Sequence, residues 1–459
     1  MENSVVQEAI QPLVDDPRIE LIDRALGPDA ALCLVGGTLR DTLRSPNKIG
    51  NVSDLDLSSI LSPAEARERL NSAGLRVIPT GLKHQTLTVL AKENTAPVEL
   101  TTFRSLGMRP EGGVVHGLTI EEDLSYRDFT VNALAYVIRE KRLVASEQAL
   151  EDLRHSILRT VGDPAQRFSE DPLRILRLVR LASEHGFSIE RTGFATATQM
   201  VKLLCGVSAE RVREEFSRTL LSCRPADGFR NLQALGALQL FWPEISVFHG
   251  FEQNSYHKAD LFEHTLEVVE RSSSELTLRL AALFHDVGKP PTLSVDEAGE
   301  RHFYRHESVG IPLAREALSR LRYPNQVIDD VCTLVATHMR PLVAGAAGLR
   351  RILRDTGELY PSWRALKESD SLACKIDSAT VAQQLADFDA TMLSIQNEPK
   401  VSALSNLAIR GQDLLELGIE AGPAIGKILR ALHERVLDEP SQNDKATLLV
   451  LAKELAEKN

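Results

Sequence analysis

The chain has 459 residues, a formal net charge of −11, and hydrophobic and charged shares of 43% and 25%. These shares are typical of a soluble globular protein and exclude a disordered, collagenous or disulfide-scaffold chain. No apolar stretch approaches the ~18 residues of a transmembrane helix, and the N-terminal sequence predicts no signal peptide. The five cysteines form no Cys-x-x-Cys pair, so we expect reduced, mostly buried thiols and a cytoplasmic protein.

The first 140 residues predict a mixed α/β domain. Short apolar or alternating runs predict strands at 31–35, 55–57, 87–90 and 98–103. A glycine-rich segment at 110–113 predicts a loop.

From about residue 141 the pattern becomes helical. Apolar residues recur at helical spacing in 172–181, with arginines between them. Further amphipathic helices are predicted over 208–222, 260–271, 276–286, 311–321, 326–339 and 425–436. Pro225 and Pro243 mark predicted helix breaks. The fold class is therefore α+β: a mixed α/β head, followed by about 300 helical residues.

Residues 139–230 carry a charge opposite to that of the whole chain. They hold 16 Lys and Arg, 14 of them Arg, against 13 Asp and Glu, a net charge of +3. Because phosphate contacts require local positive charge, this block is the better candidate for binding RNA. An ordinary helical block with surface ion pairs would have the same composition, so charge alone leaves both interpretations open.

Two glycines and a pair of aspartates form the sharpest motif. Gly36 and Gly37 follow a predicted strand, where they allow close backbone approach to a phosphate, and the next helix offers free N–H groups. Asp54 and Asp56 alternate on a strand, so both project from one face and can bind two Mg²⁺ ions for phosphoryl transfer. Either motif alone is common, and Asp-x-Asp is usually a solvated strand face.

Glu99 is a candidate third carboxylate. It lies in a strand-like segment that can run beside the paired aspartates. An exposed strand charge is the alternative interpretation.

The order of motifs resembles the class II tRNA nucleotidyltransferases, the family of CCA-adding enzymes and bacterial poly(A) polymerases. The matching motifs are Gly-Gly-x-x-Arg-Asp at 36–41, Asp-Leu-Asp at 54–56, and the blocks at 99–104, 121–133, 167–177 and 208–212. The resemblance runs from about residue 30 to 230 and continues more loosely to the C-terminus.

The resemblance implies a role for each matching residue. Asp54 and Asp56 would hold two catalytic Mg²⁺ ions with Glu99 nearby, and Gly36, Gly37 and Arg40 would receive the triphosphate. Arg127 and Asp128 would contact the ribose. Asp171 and Arg174, with Arg177 in the same nucleotide-binding motif, would pair with the edge of the incoming base, so that protein side chains select C or A. An i,i+4 ion pair between Glu170 and Arg174 is the alternative for that motif.

Two features depart from the family pattern. Tyr126 stands where the family usually has the first Arg of an Arg-Arg-Asp motif. The segment 105–120, where the family has a flexible loop that helps to switch specificity from C to A, is short. A shortened loop is typical of relatives that add only CC.

Seven of the 12 histidines fall between residues 249 and 338. Their spacing resembles the HD phosphohydrolase superfamily, in which His264, His285, Asp286 and Asp370 would bind one divalent transition metal. Lys289 and His306 are candidate phosphate contacts. A degenerate HD fold, kept only for its helices, is the alternative.

The sequence therefore predicts four parts and one main activity. The parts are a catalytic head (1–140), a helical neck for base recognition and RNA binding (141–230), a body with the HD metal domain (231–375) and a tail that would contact tRNA (376–459). We expect a Mg²⁺-dependent tRNA nucleotidyltransferase that uses CTP and ATP, and no membrane association. The alternatives are a CC-adding, A-adding or poly(A)-adding enzyme, an HD phosphohydrolase or 2′,3′-cyclic phosphodiesterase, and a silent RNA-binding relative.

Overall fold

A computed structural model describes residues 3–45, 55–81, 85–91, 95–103, 119–254, 259–342, 345–395 and 404–457. The chain divides into two compact units, Met1–Val207 and Ser208–Asn459. The first contains the sheet and the second is almost entirely helical, in agreement with the predicted α+β class.

The first unit combines helices with strands over its described residues. Its helices are α1 (Asn3–Val14), α2 (Pro17–Leu26), α3 (Gly36–Arg44), α4 (Pro63–Ser72), α5 (Ile120–Ser125), α6 (Glu147–Arg154), α7 (Pro164–Glu170), α8 (Arg174–His185) and α9 (Arg191–Met200). Its strands are β1 (Cys33–Val35), β2 (Leu55–Ser59), β3 (Arg76–Gly81), β4 (Thr86–Leu90), β5 (Val98–Thr102), β6 (Leu134–Val137), β7 (Arg142–Ala145), β8 (Ile157–Leu158) and β9 (Ser188–Ile189).

Seven of these strands form one sheet in the order β3-β4-β5-β2-β1-β6-β7. β2 and β5 are parallel, whereas β1 is antiparallel to both β2 and β6. The four strands predicted from the sequence correspond to β1, β2, β4 and β5. They are neighbours in the sheet, where their order is β4-β5-β2-β1 rather than their order in the chain. The sheet thus brings segments distant in sequence, 33–35, 55–59 and 98–102, side by side.

The sheet continues past residue 140, where the sequence pattern predicted a change to helix. β7 pairs with β6 at the sheet edge, and Val144 is its one buried residue. A four-residue edge strand is too short to produce a clear period of two, so the pattern missed it.

The second unit is built from helices, with one two-stranded ribbon in its described part. The helices are α10 (Ala209–Leu221), α11 (Pro225–Leu235), α12 (Ala237–Phe241), α13 (Pro243–Ser246), α14 (Leu261–Arg271), α15 (Leu276–Phe284), α16 (Lys289–Thr292), α17 (His306–Arg320), α18 (Asn325–Thr337), α19 (Ala346–Thr356), α20 (Tyr360–Ala373), α21 (Ser378–Ile395), α22 (Gly411–Glu416), α23 (Pro423–Asp438) and α24 (Lys445–Glu457). The ribbon pairs β10 (Ser294–Val295) with β11 (Arg301–His302).

Prolines begin helices in this unit. Pro225 and Pro243, predicted as breaks, are the first residues of α11 and α13. A proline at this position lacks only an N–H that the helix leaves unpaired, and its fixed φ suits the first turn. Each break is thus also a helix start.

Two buried tryptophans tie the helices of the second unit together. The Nε1–H of Trp242 donates to the Ala317 carbonyl on α17 at 3.1 Å, and that of Trp363 donates to the Thr337 carbonyl on α18 at 2.9 Å. Both rings are fully buried, so their N–H groups need these partners. The contacts fix α17, α18 and α20, three elements that carry the histidine cluster described below.

Among the described residues, no helix combines the length and hydropathy needed to cross a membrane. All five cysteines are free thiols, but only Cys33 and Cys332 are buried, so the prediction that most of them are buried is wrong.

Candidate functional site

The turn between β1 and α3 is shaped by a glycine next to a carboxylate. Gly36 has a φ of +81°, and a Cβ added there would lie 2.2 Å from Oδ2 of Asp56. A Cβ added at Gly37 would lie 3.4 Å from its nearest neighbour, Nη2 of Arg40. Gly36 is therefore required both by its left-handed backbone and by its contact with Asp56, whereas Gly37 has ordinary space.

Asp56 and Glu99 lie side by side on one face of the sheet. They are Cα partners in the parallel pair β2–β5, where neighbouring strands run about 4.8 Å apart. Their chain neighbours Leu55, Leu57 and Val98 are buried, whereas Asp56 is half-buried and Glu99 exposed. The sequence prediction that Glu99 runs beside Asp56 is thus matched by the register of the strands.

The same face changes character across the sheet. On β1, β6 and β7 it is apolar, with Val35, Ala135 and Val144 in one cross-strand row, and α5 packs against it. On β2 and β5 the row continues with Asp56 and Glu99. Two adjacent carboxylates at the end of an apolar surface provide only oxygen donors, the ligand type that Mg²⁺ prefers. Asp54, the other predicted Mg²⁺ ligand, lies outside the described residues.

Asp128 is buried in a tight ion pair with Arg177. Nε and Nη2 of Arg177 donate to Oδ2 of Asp128 at 2.9 and 2.5 Å, while Phe129 N–H and Asn132 Nδ2 donate to Oδ1. Burial alone would raise the pKa of Asp128, but the Arg177 charge and these hydrogen bonds outweigh it and hold the pKa below its usual value. Asp128 is therefore a fixed carboxylate at neutral pH.

The other predicted base- and ribose-contacting residues are also paired. Arg127 donates to the fully buried Asp123 at 2.7 Å. Nη1 of Arg174 donates to Oε2 of Glu170 at 2.8 Å, the i,i+4 ion pair that the sequence offered as an alternative. Oδ1 of Asp171 accepts from the Leu173 N–H at 3.2 Å. These contacts hold the residues between α7 and α8 in place.

Tyr126, the departure from the family motif, packs against a cation. The guanidinium of Arg167 lies 5.9 Å from the ring centroid of Tyr126, within cation–π range. The carbonyl of Tyr126 accepts from Nη2 of Arg174 at 3.3 Å. The tyrosine thus supports two arginines of the motif at 167–177.

Arg40 points into the first unit. Its side chain is buried and donates to Asp41, to Oδ1 of Asn132 and to Nε2 of His185. In this arrangement four of its five N–H groups donate to protein groups. Its predicted contact with the triphosphate stays a prediction.

A second group of chemistry-bearing side chains lies in the helical unit. His264 on α14, His285 and Asp286 after α15, His306 at the start of α17, His338 at the end of α18 and Asp370 on α20 come together. All are buried except Asp370, which is partly exposed. Six residues spread over 107 positions thus form one cluster, and four of them are the predicted metal ligands.

Asp286 joins two halves of this cluster. Its Oδ2 lies 3.0 Å from Nε2 of His285 and 3.7 Å from Nε2 of His264, and its Oδ1 lies 3.2 Å from Nε2 of His306 and 3.6 Å from Nε2 of His338. Asp370 lies on the His264 side, with Oδ1 at 3.4 Å from that ring. Each half is compact enough to hold a metal ion.

Hydrogen bonds behind the rings set their tautomers. Nδ1 of His285, His306 and His338 lies 2.7–2.8 Å from a backbone carbonyl three residues earlier. Because a carbonyl only accepts, each Nδ1 donates, and a neutral ring then presents a lone pair at Nε2. Metal-binding histidines have this arrangement.

Two of these lone pairs face each other. Nε2 of His306 and Nε2 of His338 are 3.1 Å apart, a repulsive contact for neutral rings unless a cation or proton is shared. Imidazole and carboxylate donors around such a point suit a divalent transition metal. The donor set therefore fits a metal ion.

The predicted phosphate contacts lie within the cluster. Nζ of Lys289 is 2.7 Å from Oδ2 of Asp286 and donates to Gln253. Burial would raise the pKa of Asp286, but the charges of His285 and Lys289 hold it well below its usual value. His306 faces the same carboxylate, so its geometry favours a metal ligand over a phosphate contact. Gly288 makes this possible, since a Cβ there would lie 2.0 Å from the His306 carbonyl.

Three residues of these sites were not predicted from the sequence. His338 belongs to the histidine-rich segment but was not placed among the ligands, because its partner His306 is 32 positions away. Asn132 and His185 were missed altogether, since a single polar residue in a loop or at a helix end carries no periodic signal.

Models of known families match three segments of the chain. A Poly A polymerase head domain matches residues 32–159, an RNA and SrmB- binding site of polymerase A matches 186–248, and a tRNA nucleotidyltransferase domain 2 matches 308–452.

Curated proteins resemble the chain over most of its length. An A-adding tRNA nucleotidyltransferase of Deinococcus radiodurans is 34% identical, covering 72% of this chain and 79% of the relative. A CC-adding tRNA nucleotidyltransferase of Thermus thermophilus is 32% identical, covering 87% and 88%. A CCA-adding enzyme of Levilactobacillus brevis is 26% identical, covering 90% and 91%.

Solved structures share the fold. The Bacillus stearothermophilus CCA-adding enzyme in complex with CTP matches with a TM-score of 0.70 at 23% identity, covering 98% of each chain. The Thermotoga maritima CCA-adding enzyme complexed with tRNA-CCA matches with a TM-score of 0.56 at 20% identity, covering 97% of this chain and 98% of that one.

Proposed function

The chain belongs to the tRNA nucleotidyltransferase family, and from this premise we propose that it adds nucleotides from CTP and ATP to the 3′ end of tRNA. In this reaction the terminal 3′-hydroxyl of the tRNA attacks the α-phosphate of the nucleotide, and pyrophosphate leaves. The observation that carries the proposal is the pair Asp56 and Glu99 on one face of the sheet, beside the turn at Gly36.

The residues of this face have separate roles in the proposal. Membership of the family implies the use of divalent metal ions, and we assign two Mg²⁺ ions to Asp54 and Asp56, with Glu99 beside them. Bound there, the ions would neutralise charge on the phosphates. The left-handed turn at Gly36 would let the backbone approach the triphosphate, and the unpaired N–H groups at the start of α3 would donate to its phosphates.

The nucleotide is selected on the α7–α8 side of the first unit. Arg127 and Asp128 contact the ribose, and Asp171, Arg174 and Arg177 contact the base. Because Asp128 is held as a carboxylate by Arg177, it can accept from a ribose hydroxyl without a change in protonation. The ion pair of Arg174 with Glu170 fixes the plane of the guanidinium for two hydrogen bonds to a base edge.

We assign the remaining parts of the chain by the same proposal. The head (1–140) carries out transfer, the neck (141–230) recognises base and RNA, the body (231–375) carries the histidine cluster, and the tail (376–459) contacts tRNA. The head-domain match at 32–159 and the RNA-binding match at 186–248 support the roles of head and neck, whereas the match at 308–452 spans body and tail. Five free cysteines support a reducing compartment, the cytoplasm.

Addition of only part of CCA is a second version of the same activity. Two relatives above 30% identity are an A-adding and a CC-adding enzyme, whereas several CCA-adding enzymes are 26–28% identical. This ordering favours a partial specificity, and the side chains of the site do not distinguish between these versions.

One assay distinguishes all versions. Pure protein is incubated with tRNA lacking CCA, tRNA ending in CC and complete tRNA, each with CTP, ATP or both, and product lengths are read on a gel. Full CCA addition extends the first substrate by three nucleotides. A CC-adding enzyme stops after two, an A-adding enzyme extends only tRNA ending in CC, and poly(A) addition gives a ladder. Loss of all products in Asp54→Ala Asp56→Ala protein assigns the activity to this face, whereas robust transfer by that variant refutes the assignment.

We also propose a second activity, hydrolysis of a phosphoester, at the histidine cluster of the helical unit. His264, His285, Asp286 and Asp370 hold one divalent transition metal, and the second oxygen of Asp286 with His306 and His338 completes a further metal group. A divalent ion held there would supply Lewis-acid chemistry to a bound phosphoester. The converging Nε2 atoms of His306 and His338 carry this proposal.

A 2′,3′-cyclic nucleotide tests the second activity separately. We expect hydrolysis that depends on added Mn²⁺ or Ni²⁺ and is lost in Asp286→Asn protein. His302→Gln, a matched change at a histidine outside the cluster, keeps it. Equal hydrolysis by the wild type and Asp286→Asn rules out the cluster as the source.

A further inference from the structure

A continuous chain of hydrogen bonds runs from Arg177 on α8 to Arg40 on α3 and returns to α8 at His185. Arg177 donates to Asp128, the Nδ2 of Asn132 donates to Oδ1 of Asp128 at 3.1 Å, and Nη1 of Arg40 donates to Oδ1 of Asn132 at 2.8 Å. At its far end Nη2 of Arg40 donates to Nε2 of His185 at 2.8 Å. Five side chains that are distant in sequence are thus connected without a gap.

Asn132 is the link that determines the direction of this chain. On one side it meets a carboxylate, which only accepts, and on the other a guanidinium, which only donates. A bridging group must therefore donate at one end and accept at the other, which a carboxamide does. An aspartate of the same size could accept from Arg40 but, ionised, could not donate to Asp128.

The two charged groups that Asn132 joins are shielded from solvent, while Asn132 itself is partly exposed. Arg40 is 4% exposed and Asp128 is 9% exposed. Hydrogen bonds to buried charged groups are stronger than surface ones, and breaking one leaves a buried charge without its partner. The relative positions of Arg40 and Asp128 therefore depend on Asn132.

The groups on the two sides of Asn132 lie on different parts of the site. Arg40 belongs to α3, four residues after the turn at Gly36, on the triphosphate side. Asp128 and Arg177 belong to the ribose and base side. We propose that Asn132 is a positioning residue, which holds the triphosphate and ribose-base sides of the nucleotide site in register so that the α-phosphate meets the 3′-hydroxyl. This inference rests on the proposed transferase activity.

The effect should appear in turnover rather than in tRNA binding. A displacement of about 1 Å between reacting groups can lower a rate by about a hundredfold. For Asn132→Ala we therefore expect kcat for CTP addition to fall about tenfold to a hundredfold, with the KM for tRNA within about twofold of wild type. Asn71→Ala, a change of an exposed asparagine on α4, is the matched control and should leave both constants unchanged.

Asn132→Asp separates the proposal from simple loss of packing. It keeps the volume of the side chain and the bond from Arg40 but removes the donor to Asp128. We expect a kcat loss similar to that of Asn132→Ala, and this variant also gives the readout if Asn132→Ala does not fold. If only the volume of the side chain matters, Asn132→Asp has a kcat near that of the wild type. This result overturns the proposal.

A double-mutant cycle with Arg40→Lys tests the connection itself. Lysine keeps the charge but not the fork that reaches both Asn132 and His185. If Asn132 acts through Arg40, the fold decrease in kcat caused by Asn132→Ala is at least about five times smaller in the Arg40→Lys background than in the wild type. Two results overturn this inference but leave the proposed function standing. One is that the losses of the two single variants are additive, and the other is that active Asn132→Ala protein has a kcat within twofold of wild type. A wild type that extends no tRNA overturns the proposed function, and this inference with it.

Discussion

The two candidate sites of this chain differ in donor chemistry, burial and construction. On the sheet of the first unit, Asp56 and Glu99 offer only oxygen atoms on a face that is half-buried to exposed. In the helical unit, four imidazoles and two carboxylates converge in a place that is almost fully buried. The first has few protein ligands and the second has many.

This difference indicates how each site would meet its metal and substrate. Mg²⁺ sites commonly use one or two carboxylates and leave the other positions to water and substrate phosphates. A site of that kind must be open to a nucleotide and an RNA end. Transition-metal sites take most ligands from the protein, with rings oriented by hydrogen bonds from behind. The helical cluster is built in that way, before any substrate arrives.

The largest expected effect is at the carboxylate site of the sheet, where Gly36→Ala changes the turn beside Asp56. In Gly36→Ala the new Cβ would lie 2.2 Å from Oδ2 of Asp56, at a φ of +81°. We expect the displaced carboxylate to lower nucleotide addition by about a hundredfold, and strain to lower the free energy of unfolding by about 1–3 kcal/mol. A gel assay with tRNA lacking CCA and urea unfolding measure the two effects.

Gly37→Ala is the matched variant for stability. Its new Cβ meets nothing closer than 3.4 Å, so the free energy of unfolding should stay within about 0.5 kcal/mol of wild type. Wild-type addition rates in Gly36→Ala protein would show that the contact with Asp56 has no part in the reaction.

The metal content of the protein tests the histidine cluster of the helical unit. Removing one ring from the cluster, as in His285→Ala, should weaken binding of Mn²⁺ or Ni²⁺ by about ten- to a hundredfold. Mass spectrometry of the metal retained after dialysis, with competition by a chelator, measures this loss. His302→Ala is the control, because this partly exposed ring packs on Tyr304 outside the cluster. Equal metal content in wild type and His285→Ala would mean that the cluster is not a metal site.

A smaller effect concerns His185, at the end of the hydrogen-bonded chain in the first unit. Burial, with the nearby charge of Arg40, lowers the pKa of His185 to about 4, while in the unfolded chain it is near 6.5. Between these values the unfolded state binds a proton that the native state does not, so stability falls as the pH falls.

The change in stability can be isolated with one variant. Between pH 7 and pH 5 the wild type should lose about 2 kcal/mol more of its unfolding free energy than His185→Gln, which still accepts from Arg40 but does not titrate. Urea unfolding at both pH values measures the difference. Parallel pH dependences in the two proteins would contradict a neutral, buried His185.

Much of the fold followed from local patterns. The predicted helices at 208–222, 260–271 and 276–286 correspond to α10, α14 and α15 within a few residues. An amphipathic face sets the period of α10 and α14, whereas α15 is buried on all sides from Leu278 to Phe284 and is not the amphipathic helix that was predicted. The strand at 55–57 corresponds to β2. Alternation of leucine and aspartate indicated both the strand and the face on which Asp56 lies.

The parts that were missed depend on contacts between distant segments. Nothing in the residues around β7 indicates that β6 will pair with it. Asn132 becomes important only because folding brings Arg40, 92 positions away, to its carbonyl oxygen. The same holds for His338, which meets His306 through the packing of α17 on α18. Spacing along one element predicts a face, whereas partners across elements follow from the tertiary fold.

One experiment tests most directly the account that nucleotide transfer belongs to the carboxylate face of the sheet. Wild type, Asp56→Asn, Asp286→Asn and the double variant are compared in single-turnover extension of tRNA lacking CCA. If transfer belongs to this face, the extension rate of Asp56→Asn is at least about a thousandfold below that of the wild type. Asp286→Asn extends tRNA at the wild-type rate, and the double variant has the rate of Asp56→Asn. Extension by Asp56→Asn at the wild-type rate would contradict the account.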